Sequence, residues 1–545
     1  MPSVVALVLF GTLSQLFLTA FVDRLPKRIF FEKSFSVALL EQGPIPMALG
    51  IAAVVFLFWL FSPFGRGHLD WSRIDPQSGL RWPILVGAMA LAWAYAGYRY
   101  NYYYDQTHLW DRLLIVALMF GILRSPLLIP LFLFEVLLSR AQFDHPLIAR
   151  IPIGDELPLR VFGIVVGCAL WNGLLDGLAI FRSRSWMKPL EKWLAPARIQ
   201  SHALVFSILC MIGFYYSVAG LGKIMLGANA MDWLRYSHME NLFVASHLNG
   251  WLSFLSEERA LEMAAIIRIF HLPIAVLTLI FELGMAFILV RQRGTLFILA
   301  AISAMHCGIV VTSGIIFWKW LTLDLAMLVW LWLRREDPEI GRMYSRSNAI
   351  FSLAVVGGLI VLFSSNQFAW WNTKWTMLYE IEVLDEEGEV YRVNHADFSP
   401  YTLFDLYKPA DRKNHTYAFG MTLVQEVMEF FEDADSDALK SFGSGVPGRV
   451  FGRGSTSEAR VFSDFMTRHF RNRNEHPGRR VVPFLLPAPA LHNRYLSGPD
   501  LYRDQRPVVE VRLRFKEVYY TGSELRRMRD EIIYSIPIAP SKRRD

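Results

Sequence analysis

Long apolar runs are the feature that most limits the folds open to this chain. Within its 545 residues, runs of about 17 or more mostly apolar residues recur up to residue 365, and each is long enough as a helix to cross about 30 Å of hydrocarbon. A composition of 53% hydrophobic and 19% charged residues excludes an ordinary soluble protein. The sequence predicts a polytopic α-helical membrane protein with about ten transmembrane helices. The predicted spans are 3–22, 45–64, 83–98, 113–138, 161–181, 203–224, 266–290, 295–316, 318–333 and 349–365.

The distribution of Lys and Arg predicts the orientation of these helices. Alternate loops hold 17 and 9 basic residues, and basic residues resist translocation across the membrane. We therefore expect both termini outside, with Lys223 near the outer membrane face. We place residues 1–80 as N-terminal transmembrane helices, 81–335 as the membrane core, 336–371 as the last helix with its linkers, and 372–545 as a soluble α+β domain.

The pattern changes at about residue 372. Residues 377–394 predict a two-stranded hairpin that turns at Glu387-Gly388. Apolar residues at helical spacing predict a helix over Tyr417–Asp433, alternation predicts a strand over Arg506–Tyr520, and Gly522–Tyr534 is interpreted as a polar, basic helix. The glycine-rich segment 441–456 lacks the Gly-Lys-Ser/Thr ending of a phosphate-binding loop and is interpreted as a flexible loop.

The positions of the cysteines and of the charged residues argue against several other functions. All three cysteines fall inside predicted helices, so neither a disulfide framework nor a cysteine metal site is predicted. The net charge of +6 comes largely from arginines that flank the spans, so no nucleic-acid partner is expected. No metal site is predicted elsewhere.

Each ionisable residue inside a predicted span is a candidate functional residue, because inserting a charged side chain at the bilayer centre costs about 2.5–3.5 kcal/mol on insertion scales. Tyr216, Gly220 and Lys223 share one face of a helix, and His271 and Glu282 share a face of the next. These groups either line a buried reaction chamber or hold helices together by hydrogen bonds. Lys223 itself either extends its ammonium to the lipid headgroups or acts as a base.

Three stretches together resemble the HTTM membrane domain shared by the vitamin K-dependent gamma-carboxylases and their bacterial relatives. Residues 219–224 (AGLGKI), followed by Trp233, are similar to the segment that holds the family's catalytic lysine, which falls on Lys223. Residues 106–110 (QTHLW) resemble a histidine segment matching His108, and His306-Cys307 followed by 313–317 (SGIIF) resembles a third motif. The resemblance covers roughly residues 80–335.

This resemblance implies a reaction of a reduced quinone, a vitamin K-like hydroquinone, with oxygen and carbon dioxide as co-substrates. Lys223 would be the base that deprotonates the quinol, and His108 and His306 would hydrogen-bond its oxygens or stabilise developing charge. The remaining residues of the predicted site are assigned to quinol binding: Tyr216, Gly220, His271 and Glu282.

Two functions from different classes remain open in the sequence. The first is a quinol-linked oxidoreductase or carboxylase of the bacterial inner membrane, with a periplasmic C-terminal domain and a peptide or small-molecule substrate. The second is a non-catalytic membrane module that binds lipid or quinone, or that anchors or exports a partner through its external domain. They are distinguished by whether substituting Lys223 and His108 abolishes a quinol-dependent reaction while the folded protein stays in the membrane.

Overall fold

The structure is a computed structural model that describes most of the chain. The described residues are 2–23, 71, 79–142, 156–180, 198–363, 369–398, 401, 416–417, 420–422, 425–433, 438, 456–479, 487–489, 496 and 498–539. The predicted span 45–64 and most of the glycine-rich segment 441–456 lie outside them.

Helices make up most of the described residues up to residue 363. They are α1 (Pro2–Asp23), α2 (Arg81–Ala96), α3 (Leu109–Ile122), α4 (Ile129–Gln142), α5 (Glu156–Ile180), α6 (Ser201–Ile224), α7 (Asp232–Tyr236), α8 (Met239–Leu248), α9 (Glu257–Gly284), α10 (Gln292–Ser313), α11 (Trp318–Leu333), α12 (Pro338–Met343) and α13 (Arg346–Phe363). A 3₁₀ turn, Met285–Phe287, extends α9.

Four helices of the described residues are long and apolar enough to cross a membrane. They are α6, α9 with its 3₁₀ extension, α10 and α13. The prediction of membrane-spanning helices is thus confirmed in its coarse form, whereas a count of about ten spans is not supported. One difference has a local cause: the predicted span 113–138 is two helices, because α3 ends at Ile122 and Pro126 opens a separate 3₁₀ turn capped by Ser125 before α4 begins.

The helix α6 is the centre of the bundle. It packs against α1, α5, α9 and α13, and 94% of its apolar window is buried, against 22% for α9. Large apolar side chains on α9 face outward instead, among them Ile269, Phe270 and Ile280. Of these two helices, α6 is enclosed by protein, whereas α9 presents an apolar outer surface of the kind that faces lipid.

Contacts at the helix ends show that α11 runs from one end of the bundle to the other. Trp318, at the start of α11, donates to the carbonyl of Pro489, which belongs to the C-terminal region. At the other end of the bundle, Gln292 at the start of α10 donates to the carbonyl of Arg335, just beyond α11. The helix α11 therefore traverses the bundle between α10 and α13, although its 16 residues extend only about 24 Å.

The C-terminal region is built around two small antiparallel sheets. Its strands are β1 (Trp371–Asn372), β2 (Trp375–Asp385), β3 (Val390–Arg392), β4 (Thr416–Tyr417), β5 (Met421–Thr422), β6 (Val508–Tyr520) and β7 (Leu525–Pro537), with helices α14 (Gln425–Asp433) and α15 (Thr456–Glu475). The strand orders are β1-β5-β4 and β3-β2-β6-β7. We call this region the sheet domain.

The sheet domain confirms two predicted elements and corrects two others. The hairpin β2–β3 turns through Gly388, whose φ of +88° suits glycine, and β6 is the predicted strand. The predicted basic helix Gly522–Tyr534 is wrong: this segment is β7, which pairs with β6 along its whole length. The cross-strand ion pair Arg514–Asp530, at 2.6 Å, satisfies one of its charges in the sheet. The predicted helix Tyr417–Asp433 shortens to α14, because Tyr417 lies in β4.

The sheet domain lies against one end of the helical bundle, which we call the sheet-domain end. Trp233 after α6 donates to the carbonyl of Trp370, and Asn241 on α8 donates to that of Asn372. Buried apolar side chains of α8 and α9, including Phe243 and Ala264, pack with Tyr520 of β6. The last turn of α6, which carries Lys223, is therefore next to this junction.

Candidate functional site

The helix α6 presents three residues of the predicted site toward its neighbours. Tyr216, Gly220 and Lys223 are separated by four and three positions in one continuous helix, so they fall on one face. Tyr216 is fully buried at 2% exposure. Lys223 lies in the last turn, where a cation also interacts favourably with the helix dipole.

Lys223 forms a buried ion pair with Glu282. Its Nζ lies 2.7 Å from both carboxylate oxygens of Glu282, and the two side chains are only 11% and 7% exposed. The ring of Trp233 lies 5.4 Å from the same nitrogen, close enough for a cation–π contact. The ammonium therefore points into the protein, where it has a carboxylate partner, rather than out toward the headgroups.

Gly220 sets the approach of the two helices that carry this pair. A Cβ atom at this position would lie 3.0 Å from the Leu283 side chain and 3.1 Å from the Cβ of Glu282. Real side chains rarely pack so closely, so α6 and α9 approach one another here because residue 220 has no side chain. The glycine thereby brings Glu282 within reach of Lys223.

A second buried polar cluster lies two turns earlier on α6. The Tyr216 hydroxyl donates to Oδ2 of Asp324 on α11 at 2.5 Å and lies 2.6 Å from Nε2 of His306 on α10. Since the hydroxyl has one proton, an ionised Asp324 requires that Nε2–H of His306 donate to the tyrosine oxygen. The ring of Trp320 borders both Tyr216 and His306.

The outer atoms of this cluster suit a hydroxyl-bearing ligand. Nδ1 of His306 and Oδ1 of Asp324 are buried and have no hydrogen-bond partner among the described residues. Both side chains are at most 4% exposed. Acceptors next to aromatic rings fit a quinol, which offers hydroxyl donors and a flat apolar ring. We describe the Lys223–Glu282 pair and this Tyr216–His306–Asp324 cluster together as the polar strip.

A third group lies at the sheet-domain end. His238 and Glu240 at the start of α8 face His271 on α9, and their ligand-type atoms lie within 4.8 Å of one another. The His238 and His271 rings are 4.9 Å apart. The neighbouring Glu240 carboxylate raises the pKa of His238; burial opposes ionisation of Glu240, but its contacts with His238 lower its pKa overall.

His108 occupies a different environment. It is the N-cap of α3 in a left-handed conformation, with φ of 47°, and it is 1% exposed. Burial lowers the pKa of this histidine to about 4. Its ring contacts Tyr104, and neither ring nitrogen has a hydrogen-bond partner among the described residues. Within that part of the chain, no hydrogen bond or ring contact joins it to Lys223 or His306.

Two cavities in the described part of the chain lie away from the polar strip. One of about 240 Å³ is bordered by Gln200, His202 and Arg342 at the end opposite the sheet domain. The other, about 950 Å³, is bordered by Leu296, Trp332 and neighbours between α10 and α11. Lys223 and Tyr216 line neither of them.

The structure thus brings together some of the predicted site residues and separates others. Lys223 and Glu282 are in contact, as are Tyr216 and His306, whereas His271 and His108 lie in other groups.

Asp324, His238 and Glu240 were absent from the predicted site. For His238 and Glu240 the sequence offered one signal of a polar site: a histidine and a glutamate separated by a single residue. The sequence predicted no metal site; the side chains of the histidine–glutamate group are of types that can hold a metal ion.

Comparisons with protein-family models, with curated proteins and with solved structures found no match for this chain. The resemblance to the HTTM domain therefore stays a prediction from sequence motifs.

Proposed function

We propose that this chain is a membrane protein of the HTTM type that oxidises a reduced quinone, with Lys223 and Glu282 as its proton-accepting pair. The observation that carries the proposal is the ion pair itself, in which Nζ of Lys223 lies 2.7 Å from both oxygens of Glu282 between apolar helices. A buried ion pair is a poor source of stability, because desolvation offsets the Coulomb attraction. Paired ionisable groups buried among apolar helices are more typical of proton or ion pathways.

The pair holds one proton that can lie on either group. In the charged form, Lys223 is an ammonium and Glu282 a carboxylate; in the neutral form, Lys223 is an amine and Glu282 a carboxylic acid. Low dielectric disfavours separated charges and makes the neutral form accessible. In that form the amine lone pair can accept a hydroxyl proton from a bound quinol while Glu282 keeps its own proton.

The Tyr216–His306–Asp324 cluster would orient the ring that Lys223 deprotonates. Its unpartnered nitrogen and oxygen can hydrogen-bond a quinol hydroxyl, and Trp320 and Phe317 border His306 with apolar surface. When bound, a quinol that is oxidised by oxygen would supply a base strong enough to take a proton from a substrate carbon, and the electron pair left on that carbon would form the bond to carbon dioxide. Burial of these side chains excludes the water that would quench such a base. The role of His108 stays a prediction.

The proposal includes a location and a topology. About ten spans with both termini outside would place the sheet domain on the periplasmic side of a bacterial inner membrane. The bias of 17 to 9 basic residues between alternate loops supports this orientation. Lys223 would then lie near the outer face, beside the junction with the sheet domain.

The direct test is oxygen-dependent oxidation of a reduced naphthoquinol by membranes that contain the protein. We expect the wild type to turn over and Lys223→Met to lose at least about 100-fold in rate, since general bases contribute about 10²–10⁴-fold. Lys516→Met is the matched control: its amino group also contacts a carboxylate, that of Glu380 at 2.6 Å, but in the sheet domain. It should retain wild-type turnover.

No turnover by the wild type, together with no quinone extracted from the purified protein, would contradict the proposal. Quinone retention without turnover would favour the non-catalytic alternative, a membrane module that binds quinone or lipid and presents its sheet domain to a partner.

A further inference from the structure

His238, Glu240 and His271 converge from two helices at the junction between bundle and sheet domain. Nδ1 of His238 lies 3.4 Å from Oε1 of Glu240, and the ligand atoms of all three residues fall within 4.8 Å of one another. A tetrahedral zinc ion separates its ligand atoms by about 3.3 Å, given bonds of about 2.0–2.1 Å. Modest side-chain movement therefore brings all three donors to one ion.

Two members of the group have a buried atom without a hydrogen-bond partner. These atoms are Nδ1 of His271 and Oε2 of Glu240, which lack a partner among the described residues. Nδ1 of His238 is also buried, and it has the 3.4 Å ion-pair contact with Oε1 of Glu240. Glu240 is 4% and His271 8% exposed. A buried polar atom without a partner costs about 1–3 kcal/mol. A cation held between the three side chains would offer such atoms a partner.

From this geometry we infer that His238, Glu240 and His271 bind a transition-metal dication, and that Zn²⁺ is the ion their chemistry suits best. The two imidazoles are borderline ligands that favour zinc over the oxygen-seeking Mg²⁺ and Ca²⁺, and zinc also accepts a carboxylate oxygen. Three protein ligands leave one tetrahedral position for water or another donor.

The surrounding structure holds these ligands in place. The segment that carries His238 is attached to the sheet domain, because Asn372 donates to Ser237 and Asn241 donates to the carbonyl of Asn372. The backbone carbonyl of Leu234 lies within hydrogen-bonding reach of the His271 ring, a contact that orients metal-binding imidazoles in proteins.

Two charged groups of the sheet domain lie near the group. The charges of Glu432 on α14 and of Lys374 both act on His238, with opposite sign. Oε2 of Glu432 is paired with Lys374 at 2.7 Å, and its Oε1 has no hydrogen-bond partner among the described residues. A bound dication would therefore face one ligating carboxylate, with the Lys374–Glu432 ion pair next to it. The ion would link α8 and α9 directly beneath the sheet domain.

The test uses the full chain purified in detergent with an affinity tag that contains no histidine. The protein is stripped with a chelator, reloaded with Zn²⁺, and assayed for metal content by mass spectrometry and for affinity by competition with a chromogenic chelator. We expect one zinc per chain. His271→Ala and Glu240→Ala should each weaken binding by about tenfold or more, since even outer-shell changes cost 10–100-fold.

His247→Ala is the matched control, because His247 is a half-buried histidine on the same α8 whose Nδ1 lies 3.2 Å from the carbonyl of Trp251. It should bind zinc like the wild type. Equal affinity in the wild type and in both ligand variants, or loss in the control as well, would overturn the proposal.

Cobalt provides a readout that does not depend on how well the variants fold. Co²⁺ bound by the wild type at four-coordinate geometry gives intense visible absorption that six-coordinate Co²⁺ lacks. We expect that spectrum at one equivalent and its loss when excess Zn²⁺ is added. A wild-type protein that binds neither ion stoichiometrically would leave His238 and Glu240 as a simple ion pair and overturn the inference.

Discussion

At the scale of single residues, the proposed function depends on polar side chains that are buried. The sequence singled out Lys223 as anomalous among apolar residues, but its spacing and surroundings left two interpretations open. The structure supplies the deciding contact, a carboxylate 59 positions away whose two oxygens both reach Nζ. Such long-range pairing depends on helix packing and leaves no local signature in the sequence.

The ion pair predicts non-additive effects on stability. Lys223→Met leaves Glu282 buried without its partner, which should lower the free energy of unfolding by about 3–5 kcal/mol. Adding Glu282→Leu removes the stranded carboxylate, so the double variant should recover most of that loss while quinol turnover stays absent. Thermal unfolding of the detergent-solubilised variants measures the first effect. Additive losses in the double variant would show that the two side chains do not interact.

Glu517 predicts a pH dependence in the sheet domain. It is 1% exposed on β6; burial, opposed by Arg529 and reinforced by Glu531, raises its pKa from 4.5 to about 7. The folded state therefore favours the protonated acid. Its contribution to stability is complete below pH 4.5 and is lost as the pH rises through 7, a change of about 3 kcal/mol at most.

Glu517→Gln should accordingly unfold at a higher temperature than the wild type at about pH 8, and the difference should disappear near the ordinary pKa of a glutamate, about 4.3. The control is Glu524→Gln, which replaces an exposed carboxylate in the turn between β6 and β7. This variant should show no such pH-dependent difference. An advantage of the Glu517→Gln variant that is equal at both pH values would contradict the assignment.

At the scale of elements, the positions of the long helices could be predicted from the sequence, whereas the contacts between elements could not. Long apolar periodicity located α6, α9, α10, α11 and α13 because burial and lipid both select apolar side chains. The strand β7 was mistaken for a helix since its charged residues suggest a solvated surface, whereas pairing with β6 along its whole length holds it in the sheet. The His238–Glu240–His271 group was missed because α8 and α9 meet only in the folded chain.

Gly220 gives the prediction at this scale. Gly220→Leu should separate α6 from α9, cost about 1–3 kcal/mol as overpacked sites do, and disturb the Lys223–Glu282 pair. Gly308→Ala on α10 is the control, because nothing lies within 4 Å of a Cβ at that position. It should leave thermal stability and turnover unchanged. A Gly220→Leu protein as stable and active as the Gly308→Ala protein would mean that the close approach is unimportant.

At the scale of the whole molecule, the polar strip and the histidine–glutamate group both lie toward the sheet domain. The link between them is the segment after α6, where Trp233 contacts Lys223 and also donates to Trp370. A displacement of the sheet domain would therefore change the surroundings of the proposed proton-accepting pair. The side of the membrane on which the sheet domain lies depends on which helices cross it.

The helix α11 decides the topology between residues 190 and 400. If α6, α9, α10, α11 and α13 all cross, reporter fusions at these two positions should lie in opposite compartments. If only the four longer helices cross, both reporters should lie on the same side. Because the end contacts place α11 across the bundle, we expect opposite compartments, with residue 400 outside. Alkaline phosphatase and fluorescent-protein fusions measure this.

The central claim is that Lys223 accepts a proton from a reduced quinone, and Lys223→Arg tests it most directly. Arginine keeps the positive charge and can form two hydrogen bonds with Glu282, so a purely structural ion pair should tolerate it. A guanidinium stays protonated in proteins and cannot serve as the base. The measurement is oxygen-dependent turnover of reduced naphthoquinol at matched levels of folded protein in the membrane. The account predicts that the arginine variant inserts and folds but loses at least about 100-fold in rate; full turnover by that variant would contradict it.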